Sequence, residues 1–187
     1  GQNHDIHFSE RPVGLQARLM MGKCFQEQDD TRRALGIYNE MLDHKSTNET
    51  ALILKSLALQ YRLICLNQDD RADYQLVIQE SDTWLKDKIN RPRLYTEFGL
   101  GFLWEKSIAE ENRARDRTLE QEQKRVILRQ ALADSKKVAK WPSPYREPAL
   151  AMGRRINAEL GEKDAEPRDF DTAFERARGL VGQLKGP

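Results

Sequence analysis

Few side chains in this 187-residue chain stand where they could do chemistry. His4 and His7 flank Asp5 at a spacing that suggests part of a metal site. They fall in a polar stretch over residues 1–11 that reads as a flexible leader, and a solvated tail is the expected state of such a pair. The third histidine, His44, sits near a helix end without an obvious partner. Glutamate-rich stretches supply a di-metal centre through Glu-x-x-His pairs, and the chain contains none. It also lacks a glycine-rich phosphate loop, a GxSxG turn and an HExxH helix. These residues point away from catalysis, from a metal and from a bound cofactor. Cys24 and Cys65 lie inside apolar helical patterns and read as small buried apolar residues, at nearly equivalent places where stacked units could bring them together.

Arg113, Arg115, Arg117, Lys124 and Arg125 form a basic cluster, but Glu110, Glu111, Asp116, Glu120 and Glu122 interleave with it. That alternation reads as a solvated helical face whose pairs contribute only about 0.2–0.5 kcal/mol each. With a formal net charge of +1 there is no global attraction to nucleic acid or to an anionic membrane. No run approaches the roughly 18 apolar residues that span a bilayer, so membrane insertion is not expected. The partner class left open is protein or peptide.

The elements behind these residues read as helices. Apolar residues make up 39% of the chain and charged residues 33%, too apolar for disorder and too poor in turn residues for a β fold. A Gln-Asp-Asp turn after an apolar helical pattern occurs twice, ending at Asp30 and at Asp70. The periodicity gives eight helices in pairs at about 12–45, 49–89, 92–140 and 144–185, forming a single domain over 12–187. Pro12 suits a first turn. Ser46 with Glu49, and Thr118 with Gln121, have capping-box form. The third helix, over Leu52 to Leu66, is apolar nearly all round and reads as the most buried. No Gly or Pro interrupts residues 102–141, so one long helix over 94–140 is possible. The second capping box favours a break near Arg115–Thr118 instead. Trp141-Pro142-Ser143-Pro144 is the clearest break, Gly161 ends the seventh helix, and Pro167 opens an eighth carrying Phe170, Phe174 and Leu184.

With Leu15 as position one, Gly22, Phe25, Ala34 and Tyr38 fall at positions eight, eleven, twenty and twenty-four, and the first pair thereby resembles a tetratricopeptide repeat. Gly22 and Ala34 let two helices approach closely, while Phe25 and Tyr38 fill the space between them. Gly101 with Trp104 and Gly153 with Ile156 repeat the local spacing. The second unit departs, with Arg62, Cys65 and Tyr74 at the corresponding places, and repeat starts about 40, 39 and 52 residues apart differ from the family's 34. The resemblance is good over residues 15–48 and degenerate beyond them. It implies an all-α, short right-handed solenoid of about four helix-turn-helix pairs.

The resemblance also implies that the first helix of each pair lines a concave groove. Projected onto this chain, the groove has an apolar floor of Leu59, Leu63, Phe98 and Phe102, with Tyr95 beside it and Lys23 and Arg154 at its ends. The family's peptide-carboxylate subgroup uses Lys and Asn where this chain has Leu19 with Lys23 and Leu59 with Leu63, so the resemblance does not support that activity. The expectation is a non-catalytic module that holds a peptide or helix in the groove. The alternative is a structural or assembly domain of a larger protein or homo-oligomer, motivated by the possible long helix.

Overall fold

The computed structural model describes residues 12–46, 48–68 and 73–162. All regular structure among them is helical, in a sequential array. The leader, the Asp69-Asp70 turn and the helix expected after Pro167 lie outside the described residues. Chain contacts divide the protein into two compact units, 1–72 and 73–187, a division that falls inside the second expected pair.

In the first unit, α1 (Pro12–Glu27), α2 (Thr31–Leu42) and α3 (Glu49–Gln68) each pack on the other two. The first Gln-Asp-Asp turn reverses the chain because Asp29 takes the left-handed conformation, φ 59°. Asp residues tolerate it better than most. Asp30 then caps α2, its carboxylate accepting from the Arg33 N–H at 3.1 Å. The core is Leu15, Leu19, Ala34, Tyr38, Met41, Ala51, Leu54, Ala58 and Cys65. A Cβ on Gly22 would run into the Tyr38 ring, so this glycine fixes how closely α1 and α2 approach. Tyr38 is fully buried and donates to Gln26 Oε1 at 2.9 Å. The cap of α3 is Asn48, which accepts from the Ala51 N–H at 2.8 Å. The Ser46 hydroxyl instead accepts from the Asn48 amide. Asn is as good a cap as Ser and stands directly before the helix.

The second unit runs α4 (Tyr74–Lys86), a 3-10 turn (Lys88–Arg93), α5 (Glu97–Arg113), α6 (Gln121–Ala139) and α7 (Arg146–Leu160), each α-helix packing on the next. Pro92 lies in the 3-10 turn, and α5 starts only after Thr96, whose hydroxyl caps Gly99. A Cβ on Gly99 would meet the backbone carbonyls of Arg93 and Leu94. Residues 94–140 are two helices: α5 stops at Arg113 and α6 begins after Glu120. The break is where the sequence favoured it, but its cap is different. Glu120 and Gln123 form the capping box, while the Thr118 hydroxyl donates to Asp116 at 2.8 Å. Gly161 ends α7 at φ 69°, in the left-handed region that glycine enters without cost.

The expectation about burial needs correction. Ten of the 17 residues of α5 are buried, against six of the 20 in α3. Glu105, Lys106, Glu110 and Glu111 are among the ten.

Candidate functional site

The expected groove residues are best taken within their own units. Leu63 and Phe102 have no exposed surface, so neither forms an open floor. Phe102 is core because Trp84 stacks face to face on it, 4.1 Å between ring centres, and Phe98 meets both rings edge-on at 5.4–5.5 Å. Such packing contributes beyond area burial alone. Leu59 and Phe98 are half-buried. Tyr95 is 49% exposed and stacks on Trp141 at 4.7 Å. Lys23 turns inward and sits 5.1 Å above the Tyr61 ring. Arg154 is exposed, and it is its neighbour Arg155 that reaches a buried carboxylate.

Two other features carry more. The first is the outer face of α1. Val13 is 60% exposed and Met20 and Met21 are each 53% exposed, with Ala17 and Cys24 exposed beside them. At 100° per residue these five fall within about 100° of arc, opposite Leu15, Leu19 and Gly22. The helix is therefore apolar on two faces and covered on one. Cys24 and Cys65 are both free thiols, and only Cys65 is buried. The sequence expectation of two buried cysteines fails because Cys24 lies on the outer arc.

The second is an ionic cluster inside the second unit. Lys106 projects from α5 between Asp82 of α4 and Asp134 of α6, with its Nζ 2.9 Å and 2.8 Å from their carboxylates. Glu110, one turn along α5, brings a third carboxylate to 3.5 Å. Asp134 also accepts from Lys137 at 2.7 Å and from Gln130 at 3.1 Å, and Asp82 from Lys86 at 2.7 Å. Asp134 is 1% exposed, Glu110 4% and Lys106 8%. Burial opposes charge on Lys106, but hydrogen bonds to Asp134 and Asp82 prevail and hold its pKa above the ordinary lysine value. Burial likewise works against ionised Asp134 and Asp82, and their lysine partners hold both below the ordinary carboxylate range. The stability these aspartates contribute is therefore present above the unfolded value of 3.8 and is lost as pH falls through their folded values. Glu110 goes the other way: burial pushes it up to about 7. Its Oε2 finds no hydrogen-bond donor among the described residues.

Beside this cluster Glu111 is buried and takes Arg155 of α7 through both its oxygens, at 3.0 and 3.2 Å, with Arg115 at 3.2 Å. The chemistry of both clusters is helix-to-helix clamping. Among the described residues no group of three or more His, Cys, Asp or Glu could hold a metal ion. The Lys106 ammonium occupies the middle of the three carboxylates. Part of the basic cluster, Arg115, Lys124 and Arg125, borders an open cleft of about 240 Å³ that Glu159 also lines. No helix among the described residues is long and apolar enough to cross a membrane.

Sequence reasoning missed the buried cluster because Glu105 to Arg125 reads as a solvated face. The available signal was aromatic and apolar density on both sides of Lys106, from Phe102 to Ile108, which left that charge little room to face solvent. Comparisons of this chain with protein-family models, with characterised proteins and with solved structures find no match.

Proposed function

We propose that the protein is a non-catalytic protein-interaction module built as a short tetratricopeptide-like solenoid, and that its contact surface is the outer face of α1. The observation that carries this reading is one helix with apolar residues on opposite faces, only one of them covered. A stacked helical array buries its faces pairwise, so an apolar face with no helix on it is a face for another helix. Val13, Ala17, Met20, Met21 and Cys24 give α1 an apolar outer face. Methionines suit such a surface because their flexible side chains adapt to a partner. The mutual packing of α1, α2 and α3, and the Gly22–Tyr38 contact, support the repeat reading over the first unit. The occupant that fits is an apolar helical face laid along α1. The groove floor is not retained, since Leu63 and Phe102 are enclosed. The long helix that motivated the assembly alternative is two helices, and a homo-oligomer stays as one occupant of the same face.

Cys24 provides the test, because it lies within the proposed contact and Cys65 does not. In a lysate of the native cells, Cys24 of the wild type is expected to alkylate several-fold more slowly than in the purified chain. The Met20→Glu/Met21→Glu variant, shown to be folded by circular dichroism, is expected to lose that protection. Equal Cys24 rates for wild type in lysate and in purified form, at concentrations where sedimentation finds a monomer, would overturn the reading. A dimer by sedimentation that the double variant abolishes identifies a second copy as the occupant.

A further inference from the structure

We propose that the cluster around Lys106 is a proton-operated latch on the second unit, in which Glu110 is closed when protonated and strained open when ionised. Three carboxylates converge on one buried ammonium, and the ammonium is already committed. Its two short contacts go to Asp134 and Asp82, and Glu110 is left with the longest, at 3.5 Å. The other cations of the cluster, Lys86 and Lys137, are 75% and 61% exposed and bind the far oxygens of Asp82 and Asp134. Glu110 thus faces Asp82 from α4, Asp134 from α6 and Lys106 from its own helix. The 3-10 turn meets α5 at Gly99, about three turns away. Asp82 and Asp134 each hold a second lysine, whereas Glu110 has only its share of Lys106, and its Oε2 is the atom without a donor.

A neutral Glu110 needs no share of that ammonium and leaves the two aspartates to the three lysines. An ionised one has to be met by water entering between α4, α5 and α6, or by α5 easing away around residues 106–110. The sign follows from linkage. Glu110 holds its proton in the folded chain up to about 7 and releases it near 4.5 when unfolded. Between those values the folded form binds the extra proton, so stability falls as pH rises through this window. Asp82 and Asp134 are shifted downward and do not titrate there.

Thermal unfolding of the full wild-type chain and of Glu110→Gln, at fixed ionic strength from pH 5.5 to 8.5, separates the two states of the latch. The wild-type midpoint is expected to drop by roughly 4–8 °C more than that of Glu110→Gln across the range. Parallel curves overturn the proposal. A second measurement needs no variant. Hydrogen exchange at pH 6 and pH 8, corrected for the intrinsic pH dependence, is expected to show amides 106–114 losing about tenfold or more protection at the higher pH, while α1 to α3 are unchanged. Equal corrected protection in 106–114 at both values overturns it as well.

Discussion

The two units solve the same packing problem with opposite materials. The first closes an apolar core around Tyr38, none of its described charged residues is among the buried ones, and its leftover apolar surface lies on α1. The second drives charge inward: α5 carries Lys106, Glu110 and Glu111 between aromatic neighbours and balances them across three helices. An apolar core is stabilised by area and shape, and tolerates substitution in proportion to volume lost. A buried ionic core adds little when intact and costs heavily when one partner is removed. One unit is therefore expected to be graded in its response to mutation and the other abrupt.

Lys106→Met sharpens this contrast most. It leaves Asp82, Glu110 and Asp134 without their shared ammonium, and a loss of about 3–5 kcal/mol is expected. Urea unfolding followed by hydrogen exchange should locate that loss in α4, α5 and α6; a variant as stable as wild type would mean the network is water-filled and energetically idle. Gly22→Ala is the matching change in the first unit. The new methyl must displace the enclosed Tyr38 ring, and overpacking of this kind costs about 1–3 kcal/mol. No cost would show that α1 and α2 separate freely, against the close approach the repeat reading needs. Arg129→Ala is the smallest: its pair with Glu162 spans half-exposed side chains, 48% and 38%, and about 0.2–1 kcal/mol is expected from denaturation midpoints. A loss as large as that of Lys106→Met would erase the distinction between buried and surface pairs.

Much of the helical skeleton was legible, and for a physical reason. Helix ends are written in local chemistry: the turn ending at Asp30, the Trp141–Pro144 break and Gly161 each act on backbone within a few residues. Where two capping residues competed, at Ser46 against Asn48 and Thr118 against Glu120, periodicity could not choose, because the choice depends on which residue the following turn leaves in place. The outer face of α1 was not legible as exposed. Val13, Met20 and Met21 look like core residues until the helices that fail to cover them are known. The cluster of Lys106 was hidden most deeply. Glu105 to Arg125 looks like any charged helix, and only the arrival of Asp82 and Asp134 from other helices turns it inward.

The stacking of Trp84 on Phe102 has one more consequence. The chain's three tryptophans, Trp84, Trp104 and Trp141, all belong to the second unit, and the first holds none. Intrinsic tryptophan emission is therefore blind to α1, α2 and α3, and reports only on the unit built around buried charge. Light alone, with no label added, divides the molecule along the same line as its two ways of filling a core.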